Sequence, residues 1–418
     1  MSTRPSLRAR MKAGFTQTFR SFSNVNFRLY ELGQVVSLAG TWMQNIALSW
    51  FVYKLTGSAV ALGLVSFASN LPFLLLTYVG GMAADRFNRR RLLIVTQWLS
   101  FLQTVVLTVL YLNGLLTVSL LVILSIILGC VTAIEVPTRQ AFVRELVDDH
   151  ELTNAIAINS SVFNSSRMFG PMLAGFIVAL SGEGVCFVLN AISYLVALFT
   201  LYHLRLRKPS AATDAELVEL ETPSNRSLFR WLRHPSVRNV LLLIAVTSVF
   251  GFQYTVLMPV IVKQALLGDA PMLGLLSAAA GLGALVGSLT LAHQSETVNL
   301  RLVIGRASAM AGLAILVLAF SHYLVLSVVA VGFASLCISI VLSGSNSLLQ
   351  TTVPAAIRGR VMGVFSLLML GFAPIAALLA GGIAQTLGLT TALAMSAIVL
   401  LLSGVSYLTC RFNFGRKA

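Results

Sequence analysis

Four side chains carry charge where the surrounding sequence is apolar enough to lie in a membrane: Glu31, Glu135, Arg139 and Arg167. A charge inside a hydrophobic span costs roughly 3 kcal/mol on insertion scales, so each is a candidate for function. Glu135 and Arg139 stand four apart in Glu135-Val136-Pro137-Thr138-Arg139-Gln140, a spacing that places both on one helix face within pairing reach. A purely neutralising pair is the plainer alternative. Arg167 follows Asn154 by 13 residues, about 20 Å along a helix and near mid-membrane. Its guanidinium keeps its charge, so it needs a carboxylate, carbonyls, water or an anionic substrate. Moving a proton requires a group whose protonation differs between two access states. No histidine lies deep in an apolar run, which leaves Glu135, with an arginine on its own helix, ahead of Glu31. Glu31 is one turn into the first run, where it can also snorkel to the edge.

Uncharged polar residues form a second set. Gln34, Leu38, Thr41 and Asn45 follow Glu31 at helical spacing, with Trp42 and Gln44 beside the stripe. Asn164, Gln253, Tyr254, Asn346 and Gln350 are polar positions in other runs. Inside a bilayer such groups face protein or water, so they line a substrate path or tie helices together. Catalytic and metal chemistry is not expected. His150, His203, His234, His293 and His322 are dispersed, and Cys130, Cys186, Cys337 and Cys410 form no CxxC pair. That pattern argues against a membrane-embedded enzyme and implies no cofactor. A longest loop of about 35 residues leaves no room for a receptor's output domain.

The elements that must position these groups are spans. The chain has 418 residues, 57% hydrophobic and 10% charged, against about 25% charged in a soluble protein. Twelve apolar windows of about 20 residues or more fall near 29–53, 59–83, 91–112, 117–141, 154–180, 184–203, 239–262, 271–293, 300–320, 323–350, 361–386 and 390–410. Of the 29 Lys and Arg, all but Lys54, Lys263 and Arg167 fall on one side of the membrane if the N-terminus is cytoplasmic. The positive-inside rule then puts both termini in the cytoplasm. The +15 net charge is thereby a matter of orientation, not of a nucleic-acid partner. The expected organisation is a cytoplasmic tail (1–28), a six-helix bundle (29–203), a cytoplasmic linker (204–238), a second six-helix bundle (239–410) and a short cytoplasmic tail (411–418). In the linker, Leu228 to Arg233 has the pattern of a short interfacial amphipathic helix or a solvated loop. The halves repeat: Gly81 matches Gly287 and Gly175 matches Gly381, and this register puts Asp85 on Leu291 and Arg86 on Ala292.

The stretch Gly81-Met82-Ala83-Ala84-Asp85-Arg86-Phe87-Asn88-Arg89-Arg90-Arg91 resembles the signature between the second and third spans of major facilitator superfamily transporters. Asn88 stands where that signature has glycine, and asparagine suits a turn needing left-handed backbone. Gly40 to Gln44, Leu55 to Ala59, Asn154 to Ala157 through Gly170-Pro171, and Glu135 to Gln140 are similar to the transmembrane secretion effector branch, which includes enterobactin-exporter-like and drug-exporter-like proteins. Gly170, Pro171 and Gly175 resemble the Gly-Pro-x-x-Gly-Gly pattern of drug/proton exporters, with Ala174 replacing one glycine. The resemblance implies an all-α polytopic membrane protein of twelve transmembrane helices in two bundles, monomeric, in the bacterial inner membrane. It implies proton-coupled export of an amphipathic small molecule, a drug-like compound or siderophore, with a lipid or lysolipid as the alternative cargo. Gly81, Asp85, Arg86, Arg89, Arg90 and Arg139 become a conformational gate, in which Asp85 pairs with Arg139 or Arg144 to hold an outward-open state. Gly170, Pro171 and Gly175 become a helix-packing motif. Glu135, Glu31 and Arg167 become the proton-coupling set, driven by the proton gradient.

Overall fold

A computed structural model describes residues 20–148, 151–204, 230–292 and 299–409. Residues 1–19 of the expected N-terminal tail, the C-terminal tail and most of the expected linker, including Leu228 and Phe229, lie outside these residues, whereas residues 20–28 are described and α1 already begins within the expected tail. A single 3-10 turn (Arg20–Ser23) precedes α1 (Val25–Thr56), α2 (Ala59–Arg86), α3 (Arg89–Leu112), α4 (Val118–Leu146), α5 (Leu152–Ser181) and α6 (Glu183–His203). The second half holds α7 (Pro235–Phe250), prolonged by the turns Gln253–Val256, Met258–Val260 and Ile261–Ala265. It continues with α8 (Ala270–Ala292), α9 (Leu300–Ala319), α10 (Leu324–Thr352), α11 (Ala355–Gly371), α12 (Ala373–Leu387) and α13 (Leu389–Thr409). No strand occurs among the described residues.

An all-helical answer follows from the solvent, since a lipid-exposed backbone must satisfy its hydrogen bonds within its own segment. Ten of the rods are long and apolar enough to cross a membrane, counting α7 with its first prolongation and α11 with α12 as one each. α1 and α5 are as long, at 32 and 30 residues, but carry the polar stripe and Arg167. Local sequence marks the ends. Asn24, Ser58, Asn88 and Thr117 cap α1, α2, α3 and α4 with their side chains, and Gly57 ends α1 in left-handed backbone at φ 61°. Asn88 therefore departs from expectation: its φ is −61°, and its carboxamide oxygen accepts from the Arg91 N–H at 3.0 Å. The residue was selected as a helix cap, a role glycine fills less well. Two expected continuous spans are broken. Gly251 and Phe252 interrupt α7, and Phe372 separates α11 from α12 just before Pro374, which lacks the N–H an unbroken helix would use.

The rods run antiparallel in sequence order, giving two faces. The basic end carries Arg86, Arg89 to Arg91, Arg144, Arg238, Arg301 and Arg358; the far end carries Lys54, Glu183, Lys263 and Asp269. In each half the second rod packs along the fourth through small residues. A Cβ on Gly80 would lie 2.2 Å from the Ala133 carbonyl, and one on Gly283 would lie 2.0 Å from that of Gly332. The halves meet through α5 against α8 and α2 against α12. There Gly175 approaches Ala270 and Gly274, and Gly381 approaches Ala59, so the repeated glycines occupy equivalent interfaces. Close backbone approach replaces hydrophobic driving force, which lipid does not supply.

Candidate functional site

The cross-half hydrogen bonds gather at the far end. Gln385 Oε1 accepts from the Ala59 N–H at 3.0 Å and from Ser58 Oγ at 3.3 Å, while Gln264 Nε2 donates to the Tyr53 hydroxyl at 3.0 Å. Lys263 lies 5.1 Å from the centroid of the Trp50 ring. Nearer mid-height the halves touch through Gly281 on Met168 and Leu74 on Gly371. Through these contacts the molecule is closed at the far end.

The charged candidates lie in the first half. Glu31 is 1% exposed, and neither of its carboxylate oxygens has a hydrogen-bond partner. Glu135 accepts from Gln97 Nε2 at 3.2 Å. Arg139, one turn further along α4, acts electrostatically on Glu31, Glu135 and Tyr30. The expected Glu135–Arg139 pair is not closed within ion-pair distance in this conformation, in which the carboxylate meets the Gln97 amide of α3. Arg139 turns to an aromatic partner: its guanidinium carbon lies 5.9 Å from the Phe163 ring centroid. Phe163 meets Trp42 edge-on at 6.0 Å, and Arg167 stands 5.8 Å from the Trp42 ring. Four side chains from α1, α4 and α5 thus form a row with a cation at each end. Gly170 positions it, since a Cβ there would lie 2.7 Å from Trp42 Cβ. Among the described residues, Arg167 has no carboxylate within ion-pair distance; Tyr254 of the second half is in its electrostatic field.

The polar stripe divides. Gln44 is 1% exposed, and its Oε1 accepts from Asn190 Nδ2 at 2.8 Å and Thr104 Oγ1 at 3.2 Å. It ties α1 to α3 and α6 instead of lining a path. Gln34 is likewise buried, and Thr41 donates to the Ser37 carbonyl at 2.9 Å with Tyr194 at 3.4 Å. Asn45 alone of the stripe is exposed. Asn164, half-buried and three residues before Arg167, donates to Ser160 O of its own helix at 2.9 Å. In the second half, Gln253 Oε1 accepts from Ser396 Oγ at 2.6 Å, leaving its buried Nε2 without a partner. Tyr254 is buried. Gln350 donates to Asn346 Oδ1 at 2.6 Å at the basic end of α10.

The expected gate also divides. Arg89 bridges α4 through Glu145 at 2.8 Å and donates to the Ala84 carbonyl at 3.1 Å. Arg90 donates to the last carbonyls of α6, at Leu201 and Tyr202, both at 2.9 Å. Asp85, its side chain 79% exposed, reaches only Arg89, at 3.9 Å, and not Arg139 or Arg144. Arg86 is exposed. A carboxylate this exposed is held by little in this conformation. Gly81 has open space around it, whereas its neighbour Gly80 is buried against α4. The tandem Gly80-Gly81 was visible in the sequence; which of the two makes the contact depends on the rotation of α2. Gln97 and Phe163 were also missed. Their signal was weak, one amide and one aromatic among many.

A family model described as transmembrane secretion effector matches residues 16–417. The chain is 27% identical over 360 residues to the staphyloferrin A transporter of Staphylococcus aureus, covering 86% of this chain and 89% of that protein. It is 27% identical over 379 residues to the multidrug efflux pump Tap of Mycolicibacterium fortuitum, covering 88% and 91%. In fold it is similar to a bacterial homologue of the iron transporter ferroportin in an inward-facing state, with a TM-score of 0.70, 17% identity, and coverage of 92% of this chain and 98% of that one. A bacterial homologue of the human lysosomal transporter Spinster, inward-facing and occupied, superposes with a TM-score of 0.71 at 14% identity, covering 93% and 96%.

Proposed function

Because this chain belongs to the transmembrane secretion effector family of major facilitator transporters, we propose that it is a proton-coupled exporter of an amphipathic small molecule, acting by alternating access. In this reading α1 and α5 cross the membrane with the ten more apolar rods, completing twelve spans in two bundles of six. The basic end is cytoplasmic, so the conformation closed at the far end is the inward-facing one. Efflux is supported by the relatives' names, siderophore and drug transport among them.

The observation that carries the proton-coupled part is Glu31: a buried carboxyl with both oxygens unpartnered, in the field of an arginine that also serves Glu135. An ionised carboxylate in such a place is costly unless a cation approaches. A rocking motion that carries Arg139 toward or away from the two acids alternates their protonation. Glu135 has a hydrogen-bond donor here and Glu31 has none, and for that reason we take Glu31 as the first candidate and Glu135 as the second. The test is transport in liposomes. Glu31→Gln abolishes proton-driven transport and spares energy-independent counterflow. If neither that variant nor Glu135→Gln affects the driven step, the antiport mechanism fails. Orientation is checked separately: a single cysteine replacing Ala215 stays unlabelled by impermeant reagent in intact cells.

A second reading, lipid or lysolipid movement, draws on an apolar groove of about 390 Å³ between α1 and α5, walled by Val35, Ala39, Ala157, Ile158 and Phe169.

A further inference from the structure

A guanidinium near mid-membrane with no counter-charge is out of place unless something else arrives to meet it. Arg167 stands 15 residues into α5, about 22 Å from its start. Its contact with the Trp42 face offsets only part of the cost of a desolvated cation. Glu31 and Glu135 already share Arg139. Arg167 keeps one polar neighbour on its own helix, Asn164, three residues before it. Between the two arginines the row is aromatic, and the buried Tyr254 of the second half lies within the field of Arg167. A flat fork of N–H donors matches a carboxylate in two parallel hydrogen bonds, which neither a neutral amide nor a cation reproduces.

We propose that the Arg139–Phe163–Trp42–Arg167 row is the substrate-recognition site and that its ligand class is an organic carboxylate with an aromatic or apolar body. The acid head is held by Arg167 and the body lies against Trp42 and Phe163. This inference rests on the transporter reading and narrows it, because the fixed charge at the site is positive and a lipophilic cation is repelled there. Gly170 serves the site indirectly as a positioning residue, letting α1 come close enough to present Trp42 beside Arg167.

Calorimetric titration of the full-length protein in nanodiscs tests the assignment with three probes sharing one ring system: 2-naphthylacetate, 2-naphthylacetamide and 2-naphthylmethylammonium. The carboxylate is expected to bind at least about tenfold tighter than the amide, with the ammonium weakest. In Arg167→Gln that preference falls below about twofold while amide binding is retained, which shows that the variant is folded. Arg167→Lys keeps part of the preference, since the charge remains and the fork is lost. The proposal is overturned if the ammonium binds as well as the carboxylate, if the preference survives in Arg167→Gln, or if none of the three probes binds. Counterflow of the same probes in liposomes separates the two claims. Carboxylate binding without counterflow supports the site while sinking the transport reading; counterflow of the ammonium alone keeps the transport reading and sinks the site.

Discussion

Adding one methyl group at Gly63 should change which end of the molecule is open. A Cβ there would lie 2.5 Å from the Ala377 carbonyl oxygen and 3.3 Å from Gly381 Cα, both backbone atoms of α12. An ordinary carbon–oxygen approach is roughly 3.3–3.6 Å, so α2 and α12 must part by about 1 Å at the far end. Overpacking of this kind costs about 1–3 kcal/mol. Under alternating access the cost falls on the far-end-closed state, where the contact exists, and not on the state in which the far end opens. The ratio of the two states then shifts about 5- to 150-fold. Spin labels at Leu115 and Leu387 in a background lacking the four cysteines report the far end; labels at Phe87 and Gly359 report the basic end. Gly63→Ala is expected to lengthen the first distance and shorten the second. Gly382→Ala is the control, because a Cβ there meets nothing within 4 Å. Unchanged distances in a folded Gly63→Ala protein would refute both the packing argument and the assumption that this interface opens.

Gly80→Ala, whose Cβ would meet the Ala133 carbonyl at 2.2 Å, should destabilise by about 1–3 kcal/mol, while Gly81→Ala in open space is tolerated; thermal unfolding in detergent distinguishes them. Gln44→Leu removes two interhelical hydrogen bonds and is expected to lower stability by about 1–2 kcal/mol without changing substrate affinity in a binding titration. Asp85→Asn loses only a long contact of an exposed carboxylate, so its unfolding temperature should match the parent while transport falls if the residue pairs in the opposite access state. Equal transport rates for that variant and the parent would remove Asp85 from the gate.

Much of the architecture was legible in the sequence because the bilayer leaves few choices. Apolar runs of about 20 residues must be helices, since no water satisfies their backbone. The segregation of arginines marks one end, and the 206-residue register between Gly175 and Gly381 foretells that two interfaces are built alike. Residue types also named the intramembrane charges. Which of those groups meet was decided only by tertiary structure. Helical spacing permitted a Glu135–Arg139 pair, yet α3 brings the Gln97 amide to Glu135 and α5 brings the Phe163 ring to Arg139. Gln44 and Asn45 are neighbours in sequence, but one is buried among α3 and α6 while the other is exposed. A rod that is apolar nearly all round gives no stripe from which its rotation can be read, so a shift of one residue, about 100° around the axis, separates a tie from a lining group. Such rotations are set by where small residues let backbones touch, at Gly80 instead of Gly81 and at Gly170 behind Trp42, and those contacts involve atoms on other helices that no local pattern encodes.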